Sequence, residues 1–102
     1  MRNPADHDPM FSNLENLQEY LVLDVLPKVV EQEQNRGRSF CACPTCLVDI
    51  AALALNILPP HYVADRYNIF GETEAERVRA REEAQKAILI AIHRVSARTH
   101  HL

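Results

Sequence analysis

Residues 41–60 read CACPTCLVDIAALALNILPP, and this stretch carries the strongest signals for both fold and chemistry. Pro44 suits the first turn of a helix, because a backbone N–H at that position would have no partner inside the helix. Residues 45–56 are rich in alanine and leucine and carry a single charge. A helix that is apolar on nearly all sides is usually buried by its neighbours. We therefore predict a central, buried helix that ends before the double proline at 59–60.

A second helix is predicted before this stretch. Ser12 and Glu15 fit a capping box, in which the two side chains satisfy backbone N–H groups at a helix start. Apolar residues then recur at helical spacing at Leu14, Leu17, Leu21 and Val25, with Tyr20, Val22, Leu26 and Val29 widening the stripe. Because Pro27 lies inside this pattern, we expect a kink or break near Leu26. The polar residues 32–40 are interpreted as a connection.

A third, long helix is predicted after the double proline. Thr73 and Glu76 form a second capping box, and the helix should run from there towards Ala97. Its second half presents one apolar face, formed by Ala87, Ile88, Ala91, Ile92 and Val95. Residues 61–70 are expected to hold a short helix or turn, and no segment alternates as a strand would. We predict an all-α, four-helix-like single domain over residues 12–102, preceded by a flexible arm over residues 1–11.

Composition limits the classes of function that the chain can serve. Its 102 residues allow one compact domain, and with 47% apolar residues a modest core is feasible. A metal ion or a partner subunit would help to stabilise so small a core. The net charge of −3 lacks the basic surplus of a general nucleic-acid binder. The arginine clusters at 36–38 and 77–81 are interpreted as solvated surface.

The redox environment of the cysteines follows from the expected location. No run approaches the roughly 20 apolar residues that a membrane-spanning helix needs. Residues 1–9 lack the apolar centre of a secretory signal, so we expect a cytoplasmic protein without membrane contact. Thiols stay reduced in the cytoplasm, where clustered cysteines indicate metal or redox chemistry rather than structural disulfides.

All three cysteines fall within six residues, at Cys41, Cys43 and Cys46. Zinc prefers thiolate or imidazole ligands in a tetrahedron. The gap between Cys43 and Cys46 lets both sulfurs reach one ion from a turn entering a helix, and Cys41 can supply a third. We therefore predict a structural zinc site, with a redox thiol set and packed, inert thiols as the alternatives. An iron–sulfur cluster is less favoured, because it normally needs four cysteines.

Three cysteines leave one of the four zinc coordination positions to another ligand. The candidates are His93, His100 and His101, a water molecule, or a ligand from a second subunit. A water-bound zinc would make hydrolysis conceivable, yet no glutamate or histidine base lies beside the cluster in sequence. We accordingly predict that the protein is not an enzyme and has no catalytic residues.

A second set of polar residues is a candidate ligand site. Asp49 and Asn56 lie seven residues apart and share one face of the predicted central helix. If that face is buried, both side chains need partners, either in the turn that follows the helix or in an arginine of another helix. The functional alternative is a polar floor for a ligand, with Tyr62 or Tyr67 stacking on a base and Arg66 pairing with phosphate.

The block from Cys41 to Val63 resembles the signature of the late competence development ComFB family. The matching positions are Cys41, Cys43, Pro44, Cys46, Asp49, Ile50, Ala52, Leu53, Leu55, Asn56, Leu58, Pro59, Pro60, Tyr62 and Val63. The resemblance implies a small helical regulatory or interaction protein that forms homodimers, with a link to competence. It also implies zinc at the three cysteines. Some relatives bear a further cysteine ligand near the C-terminus, which this chain lacks.

Some proteins similar to ComFB are receptors for the second messengers cyclic di-GMP and cyclic di-AMP. Those relatives tend to lack the cysteine cluster. Reception of a cyclic dinucleotide is therefore the alternative function for this chain, with Asp49, Asn56, Tyr62 and Arg66 as the residues that would line the site.

Overall fold

The computed structural model describes residues 9–64 and 73–98, and this part of the chain is mostly helical. Three α-helices occur in it: α1 at Leu17–Asn35, α2 at Pro44–Ile57 and α3 at Glu74–Ser96. A short 3-10 turn spans Pro9–Phe11, and a two-stranded sheet joins β1 at Glu15–Asn16 to β2 at Tyr62–Val63. The helical class is confirmed, whereas the described residues contain three α-helices and not four. Residues 1–8 of the predicted arm and 65–70 of the predicted short helix or turn lie outside the described residues.

Helix α1 begins later than the capping box at Ser12 and Glu15 suggested. Its N-cap is Asn16, whose Oδ1 accepts a hydrogen bond from the Gln18 backbone N–H at 3.2 Å. Asparagine caps a helix as well as serine does, so propensity alone does not favour Ser12 over Asn16. A contact with a distant segment favours Asn16. Asn16 Oδ1 also accepts from the His61 backbone N–H at 2.9 Å, a contact that no local sequence pattern reports.

The sheet joins the start of α1 to the chain that leaves α2. Glu15 pairs with Val63 and Asn16 with Tyr62, antiparallel. Two further bonds continue this junction: the Leu17 N–H donates to the His61 carbonyl at 2.8 Å, and Gln18 Nε2 donates to the Pro59 carbonyl at 3.0 Å. Each strand has only two residues, which is too short for an alternation of apolar and polar residues to reveal the sheet from the sequence.

Helix α1 continues through Pro27 as one element, so of the kink or break expected near Leu26 the break is wrong. Proline removes the N–H that would bond the carbonyl of Leu23, four residues earlier. Leu23 and Pro27 are both exposed, so water can satisfy that carbonyl. The buried stripe persists on the opposite side at Leu17, Leu21, Val22, Val25, Leu26 and Val29, whereas the predicted stripe members Leu14 and Tyr20 are exposed.

The connection between α1 and α2 is shorter than predicted, because α1 runs to Asn35. Gly37 follows in a left-handed conformation with φ of +82°, which a residue with a side chain would adopt only with strain. Its N–H donates to the Gln34 carbonyl at 3.0 Å and closes the turn. The chain thereby reverses into the cysteine segment.

Helix α2 begins at Pro44, as predicted, and ends at Ile57, with Leu58 as its C-cap. It buries one side only, formed by Cys46, Ile50, Ala51 and Ala54. Its opposite side is open, and Val48 is 67% exposed. The prediction of a helix buried all round is therefore wrong for a single chain, because α1 and α3 pack against the same side.

Helix α3 matches its prediction at both ends and along its apolar face. Thr73 Oγ1 accepts from the Glu76 N–H at 3.1 Å, and the helix stops one residue before Ala97. The five apolar residues predicted for its second half are all buried, together with Ala84. Their alanines let α3 approach α1 and α2 closely, and the three helices share one core.

The arginine clusters lie on the surface and form ion pairs. Arg36 and Arg38 both bind Glu33, and Arg81 Nη1 lies 3.0 Å from Asp24 Oδ2. The last pair links α3 to α1. Within residues 9–64 and 73–98, no helix combines the length and the apolarity needed to cross a bilayer.

Candidate metal centre

The three cysteines gather where the α1–α2 connection enters α2. Cys43 is the N-cap of α2, in an extended conformation with φ of −70° and ψ of 163°. Pro44 fixes the first helical residue, which places Cys46 one turn into the helix and on the side of Cys43. Cys41 precedes the cap by two residues and completes the group.

The sulfur atoms of Cys41, Cys43 and Cys46 all lie within 4.8 Å of one another. Tetrahedral zinc with bonds of about 2.3 Å sets its sulfurs about 3.8 Å apart. Rotation of the cysteine side chains would bring the three sulfurs to that spacing. The donor set therefore fits one thiophilic metal ion, as the sequence predicted for these three residues.

The three thiols differ in their access to solvent. Cys41 is exposed, Cys43 is half-buried, and Cys46 is only 2% exposed within the helical core. None of them takes part in a disulfide bond. An ion held by all three would therefore bridge the protein surface and the core.

The local electrostatics favour a negative sulfur at the cap and disfavour one in the core. The backbone N–H of Cys46 points at Cys43 Sγ, 3.5 Å away, and this bond lowers the pKa of the Cys43 thiol. Burial raises the pKa of Cys46 to about 12, because its thiolate would lose hydration, and the neighbouring Cys41 and Cys43 add to the effect. A bound cation would reverse that preference by supplying positive charge at the buried sulfur.

A buried glutamate, which the sequence analysis missed, anchors the chain just before the cluster. The Glu33 side chain is 5% exposed, and its two carboxylate oxygens accept from Arg38 Nε at 2.9 Å and from Arg36 Nη1 at 3.2 Å. The Arg38 N–H also donates to the Glu33 carbonyl at 3.0 Å. The signal was present: Glu33 follows Val29 by four residues on the buried stripe, with two arginines close behind.

Of the candidate fourth ligands, His93 is the one within the described residues. It is exposed and lines a pocket of about 280 Å³ together with Phe40, the residue before Cys41. It does not belong to the group of three sulfurs. His100 and His101 lie outside the described residues.

Of the residues considered for ligand binding, the three that the structure describes are exposed in the single chain. Asp49 and Asn56 share one side of α2, as predicted, but that side is exposed, so the premise of burial is wrong. Tyr62 lies in β2 and is 53% exposed. Arg66 and Tyr67 lie outside the described residues.

Comparison with known proteins finds the same family that the block from Cys41 to Val63 resembles. The sequence model of a family described as late competence development protein ComFB matches residues 15–99, which includes all three helices. No curated protein and no solved structure gives a significant match to this chain.

Proposed function

The chain belongs to the ComFB family, and from that premise we propose that it is a non-enzymatic regulatory protein of the cytoplasm, linked to competence, with one structural zinc ion. Cys41, Cys43 and Cys46 are the proposed ligands. Family membership supports the regulatory role, and the approach of three sulfurs to within 4.8 Å supports the metal.

Zinc is the metal that this donor set suits best. Thiolates are soft ligands, and closed tetrahedral sites rich in cysteine are typical of zinc that stabilises a fold. Cys46 supports a structural role, because its sulfur belongs to the same core as Ile50 and Ile88. Zinc would crosslink that core to the connection before α2, and the free energy of metal binding would add to the stability of the fold.

Metal content and thermal stability test this proposal together. Protein purified without added metal should contain one zinc ion per chain by mass spectrometry, and a chelator should lower its melting temperature. Cys43→Ser should lose the metal, although serine remains a good N-cap. Thr45→Ser, a change at the exposed residue between two ligands, is the matched control and should keep both metal and stability. Reduced wild-type protein that is free of metal and equally stable would reject the proposal.

Calorimetry separates this role from reception of a second messenger. Titration with cyclic di-GMP and cyclic di-AMP should give no heat of binding for the zinc-loaded protein. Saturable binding that is weakened by Asn56→Ala would instead favour a receptor with its site on the exposed side of α2.

A homodimer is part of the proposal. The exposed side of α2 carries Val48 and Ala52, one turn apart, beside the half-buried Leu55. A second copy packed there would bury the apolar surface that one chain leaves open. Sedimentation should give the mass of a dimer, and Val48→Lys should shift it towards the monomer. Lys28→Ala, at an exposed position of α1, should leave the mass unchanged. A monomeric wild-type protein would reject the dimer.

A further inference from the structure

Two of the three cysteines have the placement of a dithiol couple. Cys43-Pro44-Thr45-Cys46 has a cysteine at the N-cap and another at the third helical residue. Residues three apart in a helix have neighbouring side chains, with Cβ atoms about 5–6 Å apart. Their sulfurs lie within 4.8 Å, so an S–S bond requires rotation of both side chains and an approach of the two Cβ atoms by about 1 Å.

We propose that Cys43 and Cys46 are a reversible redox couple, which a hydroperoxide converts to a disulfide, and that this oxidation releases the metal ion from the cluster. The release of metal rests on the zinc site proposed above. The oxidation itself requires only the two thiols and the peroxide.

Within this couple the half-buried Cys43 reacts first, and the buried Cys46 completes the reaction. The Cys43 thiolate attacks one oxygen of the hydroperoxide, the O–O bond breaks, and a sulfenic acid forms while the other oxygen leaves as hydroxide or alkoxide. The Cys46 sulfur then attacks the Cys43 sulfur and displaces the hydroxyl group as water. Two thiols lose two electrons and two protons in total, and the peroxide accepts them.

The structure favours closure between Cys43 and Cys46 over closure between Cys41 and Cys43. Cys41 and Cys43 are two residues apart, and if the chain between them is extended their Cα atoms lie about 6.6 Å apart, at the wide end of the range for disulfides. Cys46 lies beneath Cys43 in the core, shielded from peroxide in solution but within reach of Cys43. Cys46 is therefore the thiol that lies closest at hand in the core to attack the sulfenic acid of Cys43.

Disulfide formation would dismantle the metal site. It removes two of the three sulfur ligands and leaves Cys41, which is exposed. One thiolate at the surface does not retain a zinc ion at low concentration. A thiol reductant would restore both sulfurs, and metal could then bind again.

The first test uses metal-free protein, so it does not depend on the metal. Each single Cys→Ser variant keeps a different pair of thiols, and disulfide formation is followed by the mass of the intact chain after peroxide addition. Cys41→Ser should form its disulfide at least about tenfold faster than Cys43→Ser or Cys46→Ser. Equal rates in the three variants, or overoxidation of Cys41→Ser without a disulfide, would overturn the proposal.

Wild-type protein gives a check that does not depend on the folding of the variants. Trypsin should release residues 39–66 as one peptide with all three cysteines, because no lysine or arginine lies between Arg38 and Arg66. A bond from Cys43 to Cys46 permits fragmentation on the C-terminal side of Ala42 and blocks separation at Thr45. Fragmentation at Thr45 alone would place the bond between Cys41 and Cys43 and overturn the assignment.

The second test uses zinc-loaded protein and a coloured zinc chelator. Peroxide should release one zinc ion for each disulfide formed, and dithiothreitol followed by zinc should restore the loaded protein. A disulfide that forms without release of bound zinc would overturn the coupling. Protein that binds no zinc but still forms the disulfide would reject the proposed function and leave the redox couple intact, so the two failures are distinguishable.

Discussion

Arg38 and Glu33 are joined twice, by a side-chain ion pair of 2.9 Å and by a backbone hydrogen bond of 3.0 Å from the Arg38 N–H to the Glu33 carbonyl. These bonds enclose the turn at Gly37 and direct the chain into the cysteine segment. The carboxylate is buried while both bound guanidinium groups are largely exposed, so removal of the glutamate leaves no buried charge without a partner.

We expect Glu33→Ala to lower the free energy of unfolding by about 1–2 kcal/mol, because two charge-assisted hydrogen bonds are lost. Glu33→Gln keeps the shape and one acceptor oxygen and should cost less. Urea denaturation of the zinc-loaded proteins measures both. Equal stability of wild type and Glu33→Ala would show that the ion pairs add nothing to the turn.

The N-cap of α1 can be tested against the alternative that the sequence suggested. Asn16→Ala removes the acceptor for two backbone N–H groups, those of Gln18 and His61, and should cost about 1–2 kcal/mol. Ser12→Ala is the matched control at an exposed position outside the helix, and it should change stability by less than about 0.5 kcal/mol. The opposite order in thermal denaturation would place the cap at Ser12.

Replacement of the proline inside α1 should stabilise the protein. Pro27→Ala restores a backbone N–H that can donate to the Leu23 carbonyl, and it removes the steric conflict in the preceding turn. Part of this gain is offset because alanine has more freedom than proline in the unfolded chain. We expect a net gain of about 1–2 kcal/mol in urea denaturation. Lys28→Ala, at the next exposed position, should change stability by much less.

Metal affinity should rise with pH. Burial raises the pKa of Cys46 to about 12, so its thiol is protonated at neutral pH without metal and must release a proton when it binds a cation. Affinity should therefore fall by at least about tenfold for each pH unit of acidification between about pH 8 and pH 5. Equilibrium dialysis against a competing chelator measures this slope. A flat profile would mean that Cys46 is not a ligand.

The fold was predictable where the deciding signal was local in sequence. The capping box at Thr73 and the buried face around Ile88 follow from spacing alone, and so does Pro44 at the start of α2. The failures depend on contacts between distant segments. Asn16 caps α1 partly because His61 also binds it, and no local signal distinguishes that from the box at Ser12.

The candidate site was predictable from composition more than from position. Three thiols within six residues identify the candidate ligands, because side chains so close in sequence at a helix start lie close in space. The burial of α2 was overestimated, because an apolar composition does not show whether a helix is packed on one side or on both. Glu33 was missed because it lies outside the cysteine block, at the end of a stripe that appeared to stop at Val29.

One residue, Cys43, caps α2 and is also one of the three proposed metal ligands. The two roles differ in the residues they allow. Serine, aspartate or asparagine can also cap a helix, whereas only cysteine supplies a thiolate. A chain with one of those residues here would keep the architecture while losing the ion. A single substitution at this helix start could therefore add or remove metal binding among relatives while the packing of the three helices stays the same.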